Sequence, residues 1–286
     1  TNYEKLNYWF LTYKPDFVII AAAKVGGILA NCKHPYEFIL NNLKIQTNLI
    51  EISFNHKVKK LLFLGSSCIY PKFSQQPIDE EYLLSGPLEE TNEFYAISKI
   101  SGIKLCQSLN LQYGFNSICL MPSNLYGPGD NYNALNSHVL PALIKKFTEA
   151  KEKELNSVTC WGTGKVLREF LYVDDLAEAC IFAIDNWDPK AKDAPKDKNN
   201  KPLLWLNVGS SDEISIENLA KKIAKLVGFN GDILWDNSKP DGTPRKKLNT
   251  MRMKNLGWES TTSLDAGIIK TINYYKKDFK NNNLRK

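Results

Sequence analysis

The sequence has no Cys-x-x-Cys pair, no apolar run of membrane length, few histidines, and no glycine-rich phosphate-binding turn near its start. Its six cysteines (Cys32, Cys68, Cys106, Cys119, Cys160 and Cys180) are scattered and lack metal-ligand spacing to any of the three histidines. A reduced, cytosolic chain with no metal site is the simplest expectation. The longest apolar stretches, at 17–23 and 61–64, fall far short of the ~20 residues a spanning helix needs, so no membrane partner is expected. Tyr3, Glu4, Lys5 and Asn7 precede any apolar run, which is not the order of a signal peptide. The excess of one charge is also small. The 37 Lys and Arg stand against 31 acids, a formal charge of +6, part of it in runs such as Lys145-Lys146 and Lys276-Lys277, and no nucleic-acid partner follows from so mild a balance.

What the sequence does contain is a core-forming pattern. With 286 residues and 43% hydrophobic content, it can bury a main domain and a smaller partner domain. Short apolar runs at 17–21, 61–65 and 117–121 read as parallel strands buried on both faces. Between them, 41–54 places Leu43, Thr47, Ile50 and Phe54 at helical intervals, and 94–113 does so with Ile97, Ile100, Ile103 and Leu105. This alternation predicts an α/β fold with a doubly wound parallel sheet of the NAD(P)-binding Rossmann type. After Pro122 comes a loop with Tyr126-Gly127-Pro128-Gly129-Asp130, then a helix over about 138–150. Further along, 206–209 and 233–235 read as strands with a helix over 216–227 between them. The segment 188–202, almost wholly polar with three prolines, reads as a mobile surface insertion. Residues 1–150 are expected to form the cofactor domain. Residues 151–286 are expected to be mainly a smaller substrate-binding domain, with some segments returning to the first sheet.

A dinucleotide fold ordinarily opens with a strand, a Gly-x-Gly-x-x-Gly or similar turn, and a helix whose N-terminus holds the pyrophosphate. Gly26-Gly27 follows the first strand but lacks a third glycine at the required spacing. The expectation is that this strand, turn and second strand, about 40 residues at usual element sizes, precede Thr1. The chain from Thr1 onward is then expected to bind NADPH poorly.

The strongest chemical signal is Tyr95-x-x-x-Lys99 on a helix, preceded by Ser66-Ser67 at a strand end. The i, i+4 spacing puts Tyr95 and Lys99 on one helix face, where the cation is expected to favour the phenolate. Alone the motif is weak, because an exposed helical pair reads the same way. Cys68 follows Ser66 by two positions, which on an extended segment returns its side chain to the same face; the competing reading is a packed thiol. His138, after Ser137 at a helix start, is either functional or a terminal residue bonded to backbone. His34 and His56 look like surface residues.

Together, Ser66, Tyr95 and Lys99 resemble the extended short-chain dehydrogenase/reductases. Six further blocks, in order, narrow the likeness: 22–28 (AAKVGGI), 65–71 (GSSCIYP), 91–93 before Tyr95, 121–128 (MPSNLYGP), 137–139 (SHV) and 167–170 (LREF) resemble the GDP-L-fucose synthase family. Ser123 stands where many relatives carry threonine, which keeps the hydroxyl.

The resemblance implies 3,5-epimerisation of GDP-4-keto-6-deoxymannose followed by reduction at C4 with NADPH. It implies Cys68 as base and His138 as acid for the epimerisation, with Ser66, Tyr95 and Lys99 serving the reduction. NADP(H) would be met by Leu64, Gly65, Ser66, Ser67, Lys99, Pro122, Ser123, Asn124, Leu125 and His138. The GDP-sugar would be met by Lys146, Trp161, Arg168 and Asp241. Against these stand a solvated helix lysine for Lys146, a core aromatic for Trp161, and an ordinary Pro-Asp-Gly turn for Asp241. A homodimer through helices at 41–55 and 92–113 is implied too. The alternatives are an NAD-retaining nucleotide-sugar 4-epimerase or 4,6-dehydratase, which does not account for Cys68 with His138, and a non-catalytic Rossmann module, against which the intact Ser, Tyr, Lys, Cys and His set argues.

Overall fold

The structure is a computed structural model that describes residues 2–133 and 136–281. Helix α1 (Tyr3–Tyr13) leads into β1 (Phe17–Ile20), α2 (Ile28–Lys33), α3 (Pro35–Asn55), β2 (Lys60–Leu64), α4 (Glu93–Tyr113) and β3 (Ser117–Pro122). Then come β4 (Asn124–Tyr126), α5 (Val139–Glu152), β5 (Ser157–Trp161), β6 (Leu167–Tyr172), α6 (Val173–Asn186) and β7 (Trp205–Val208). The chain closes with β8 (Glu213–Ser215), α7 (Ile216–Val227), β9 (Asp232–Asp236), β10 (Arg245–Lys246), α8 (Met251–Leu256) and α9 (Leu264–Lys280).

The main sheet has the order β1-β2-β3-β7, and every pairing in it is parallel. Strand side chains alternate between faces, and here both faces are covered. Leu61, Phe63, Cys119 and Met121 pack with Ile50 of α3 and Ile100, Ile103 and Cys106 of α4. Leu62, Leu64, Ile118 and Leu120 pack instead with Leu176, Ala179 and Ala183 of α6 and with Met253 of α8. That double coverage is why β2 and β3 read as unbroken apolar runs. β1 departs from the expectation of burial on both faces: it is an edge strand in which Phe17 and Ile19 are exposed.

A second core joins α5, α7 and α9 to β5 and β6 through Leu143, Phe147, Leu219, Ile223, Ile268 and Ile272. Helix α5 therefore packs with the later elements, whereas α6 and β7 return to the main sheet. Helix α3 begins at Pro35, earlier than its apolar spacing alone indicates, because proline fits a first helical position, whose N–H has no intrahelical partner. The polar segment 188–202 lies at the surface but is not featureless. Asp197 accepts hydrogen bonds from the backbone N–H groups of Asn199 and Lys201, Lys196 bridges to Pro202, and Ala194 is buried. Among the described residues, no helix is long and apolar enough to cross a membrane.

Candidate active site

Parallel strands end in loops at their carboxyl edge, and a cavity of about 610 Å³ opens there between the two cores. Ser66, just past β2, caps a 3-10 turn over Ser67–Ile69 and accepts a hydrogen bond from Cys68 N at 3.2 Å. Cys68 thus reaches the Ser66 side through a tight turn, not along the extended segment expected from sequence. The Ser66 hydroxyl also acts to lower the pKa of both the Tyr95 phenol and the Cys68 thiol, and all three residues line the cavity, so three reactive groups neighbour one another.

Lys99 behaves differently from the sequence expectation. Its Nζ donates to the Leu64 carbonyl at 2.8 Å and sits 4.8 Å over the Phe63 ring, behind the cavity wall. Burial lowers its pKa to about 8. Tyr95 is pushed up from the ordinary tyrosine range by burial and by the charge of Cys68, with the Ser66 bond a weaker opposing effect. The Lys99 ammonium is committed to the Leu64 carbonyl, and desolvation dominates the shift of the phenol. Tyr95 is therefore a protonated acid at neutral pH.

The residue that sequence reading missed is Lys246. Its Nζ lies 3.3 Å from Cys68 Sγ, and both residues line the cavity. Burial works to raise the Cys68 pKa, but Lys246, the Ser66 bond and Arg168 together bring it below the ordinary thiol value. His138, the N-cap residue of α5, opens onto the same cavity, and its pKa is lowered by loss of hydration and then by the Lys246 charge. One ammonium thus faces both a thiol and an imidazole. A cation stabilises a thiolate and destabilises an imidazolium, so it depresses both pKa values. Replacing Lys246 with methionine is expected to raise both, moving the whole pH profile of proton exchange by Cys68 and His138 to higher pH. An unmoved profile would show that the ammonium does not tune the pair. Sequence held one clue: Lys246 directly follows the Pro240-Asp-Gly-Thr-Pro-Arg245 stretch. Nothing local separates it from Lys247, and it is the pairing of Lys246 with Arg168 across β10 and β6 that selects it.

Lys146, Trp161, Arg168 and Asp241 all line the same cavity. Arg168 donates to the carbonyls of Leu167 and Asp241 at 2.8 and 3.1 Å, and its partly desolvated guanidinium has no carboxylate partner among the described ion pairs. Lys146 donates to the Thr159 carbonyl at 2.9 Å and lies 5.4 Å over Trp161, with Lys239 at 6.0 Å from the same ring. Trp161 is half exposed and is not a core aromatic. Lys239 is a second residue the sequence did not single out. Four cations, Lys146, Arg168, Lys239 and Lys246, face this cavity, and none forms an ion pair among the described residues, an arrangement suited to a diphosphate. Asp241 is engaged otherwise: its carboxylate accepts from Thr163 N and Thr163 Oγ1, both at 2.8 Å, so it stitches two loops of the wall together.

Of the ten residues expected to meet a dinucleotide, those at 65–67 and 122–125 and His138 line the cavity, whereas Leu64 and Lys99 lie behind it, bonded to each other. Ser123 Oγ is buried on this wall without a protein partner, which fits a polar ligand group against it. The residues present therefore fit the cofactor. Among the described residues no cluster of three or more His, Cys, Asp or Glu is placed to hold a metal.

Residues 1–197 match the NAD dependent epimerase/dehydratase family. GDP-L-fucose synthase 1 of Arabidopsis thaliana is 50% identical over 278 residues, 97% of this chain and 82% of that protein. GDP-L-fucose synthase of Escherichia coli K12 is 48% identical over 267 residues, 93% of this chain and 82% of that protein. A solved GDP-L-fucose synthetase of Naegleria fowleri bound to NADP superposes with a TM-score of 0.84 at 26% identity, covering 100% of this chain and 84% of that one. A GDP-6-OMe-4-keto-L-xylo-heptose reductase from C. jejuni gives a TM-score of 0.88 at 35% identity, with 97% and 87% covered.

Proposed function

The chain belongs to the NAD dependent epimerase/dehydratase family, and from that premise we propose that it converts GDP-4-keto-6-deoxy-D-mannose to GDP-L-fucose. The reaction is epimerisation at C3 and C5 followed by NADPH-dependent reduction at C4. The observation that carries this reading is Cys68 and His138 opening onto one cavity with the Ser66–Tyr95 pair, under a shared Lys246. A 4-epimerase or 4,6-dehydratase reading does not account for Cys68 together with His138.

The C4 ketone acidifies the neighbouring C–H bonds. The Cys68 thiolate, favoured by Lys246, removes the proton at C3 or C5 and leaves an enolate, and His138 returns a proton to the opposite face. Epimerisation at the second carbon repeats the two transfers once Cys68 has released its proton to solvent and His138 has taken one up. NADPH, which the residues at 65–67 and 122–125 would hold, would supply the hydride for C4. Tyr95 then gives its phenolic proton to the C4 oxygen while Ser66 orients that oxygen. Lys99 fixes the Leu64 backbone beside the expected nicotinamide site. Arg168, Lys146 and Lys239 answer the diphosphate, and Trp161 offers a face for the base. Residues 1–150 are mainly the cofactor part and 151–286 mainly the substrate part, with α5 exchanged against α6 and β7. Six free cysteines fit a reducing cytoplasm.

The protein, incubated with GDP-4-keto-6-deoxy-D-mannose and with NADPH raised until turnover no longer increases, so that weak cofactor binding does not limit it, is expected to oxidise NADPH and yield GDP-L-fucose by NMR. A product reduced at C4 with its C3 and C5 configuration unchanged would sink the epimerase half of this reading. Absence of NADPH oxidation would sink the reductase half.

A homodimer is proposed through α3 and α4. Phe94, Ile97 and Leu111 share one face of α4, and Leu111 is 76% exposed. Leu111→Glu is expected to shift the chain from dimer to monomer in size-exclusion chromatography with light scattering. An unchanged mass would place the interface elsewhere.

A further inference from the structure

Glu169, next to Arg168 in β6, is 0% exposed and forms no ion pair among the described residues. A carboxylate buried without a counter-cation is costly and is retained where its hydrogen bonds matter. Its Oε1 accepts from Ser211 N and its Oε2 from Leu248 N, each at 2.9 Å. Gly209 packs so closely that a Cβ there would collide with the carboxylate. Leu248 lies two residues past Lys246, on the short segment that brings Lys246 Nζ to 3.3 Å from Cys68 Sγ. The same segment is held on its other side by Gln76, whose Oε1 accepts from Lys247 N at 2.8 Å, and by Ile78, whose N–H donates to the Lys247 carbonyl at 2.7 Å.

We propose that Glu169 is a positioning residue: its ionised carboxylate ties the segment after β10 to β6, and this tether holds Lys246 against Cys68. Of the groups bonded to the backbone at Lys247 and Leu248, Glu169 is the one that titrates, whereas Glu213 and Asp79 hold the flanking Arg245 and Asn249 through their side chains. Burial raises its pKa to about 7, against the opposing effects of its Leu248, Ser211 and Ser210 bonds and the charge of Lys247. The other charged groups packed around it are engaged elsewhere. Glu213, its register partner on β8, is taken by Arg245 at 2.6 Å, and Arg168 donates to backbone carbonyls. Once protonated, one carboxyl oxygen carries a hydrogen and can no longer serve an amide as it did, so one of the two tethers weakens.

The inference concerns the environment of the thiol and rests on the reading above only for its catalytic consequence. Alkylation of Cys68 reads the thiol directly, so failure of this proposal and failure of the base assignment are told apart. The test measures iodoacetamide alkylation of Cys68 against pH in the full chain, in a Cys32→Ser background that removes the exposed thiol. Glu169→Gln is expected to move the alkylation midpoint upward by roughly one pH unit, about tenfold less thiolate at neutral pH. Lys246→Met should move it upward too, and the double variant no further than Lys246→Met alone.

The sign is discriminating. Loss of a nearby negative charge by itself lowers a thiol pKa, so an upward shift reports a displaced ammonium. A downward or absent shift in folded Glu169→Gln, or a shift that adds in full to that of Lys246→Met, overturns the proposal. If Glu169→Gln does not fold, the wild-type curve decides. Below a pH of about 7, alkylation should fall more steeply than loss of one proton accounts for, and the extra steepness should vanish in Lys246→Met. A wild-type curve with single-proton slope throughout overturns it as well.

Discussion

Replacing Tyr95 with phenylalanine is expected to slow reduction at C4 by at least ~100-fold, the loss typical of a missing general acid. The reason lies in where the phenol sits. Burial and the neighbouring Cys68 charge hold its pKa above the ordinary tyrosine value, so it carries its proton throughout the neutral range and is ready to donate to a developing alkoxide. Phenylalanine keeps the ring and removes only the hydroxyl with its proton. The two halves of the reaction should therefore separate. In deuterated water, Tyr95→Phe should still admit deuterium at C3 and C5 while NADPH oxidation stalls. Near-normal NADPH oxidation in a folded Tyr95→Phe variant would move the acid to another group. If exchange and reduction fell together, one proton network would be serving both steps.

Cys68→Ser is the complementary case, with an expected loss of ~100-fold or more in deuterium entry at both C3 and C5. The substitution is close to isosteric, yet a hydroxyl near neutral pH is a much poorer base than a thiol. The thiol here is also favoured toward ionisation, because Lys246 at 3.3 Å, Ser66 and Arg168 together outweigh the burial that opposes it. A serine in that position would receive the same help and remain un-ionised. His138→Asn should instead impair proton return and release incompletely epimerised sugar, which would then be reduced to the wrong product. Wild-type exchange at both carbons in Cys68→Ser would return Cys68 to the reading of a packed thiol.

The expectations that held were those resting on short-range pattern. The unbroken apolar runs of β2 and β3 and the helical spacing of α3, α4 and α7 are properties of a few neighbouring residues, and each element formed where its pattern lies. The Ser66, Cys68 and Tyr95 group was legible for a similar reason. A strand end and the helix that follows it supply all three, and their order along the chain already implies that they meet.

Other features had no local signature. Lys99 turned to the Leu64 carbonyl because the i, i+4 geometry that aligns it with Tyr95 also lays it along the buried end of β2, a matter of how α4 packs on the sheet. The desolvation of Tyr95, which reverses the expected direction of its shift, and the neighbouring Cys68 charge follow from how the chain folds around the cavity. Lys246 stands 178 positions from Cys68 in the chain, and the pairing of β10 with β6 brings it there. Lys239 reaches Trp161 through the turn that Asp241 anchors to Thr163. The sequence by itself thus determined the parallel sheet, its helices and the group around Ser66, because periodicity and adjacency are written in consecutive residues. The tertiary structure alone decided the electrostatics of the site, because a pKa is set by desolvation and by charges within a few ångströms, whatever their distance along the chain.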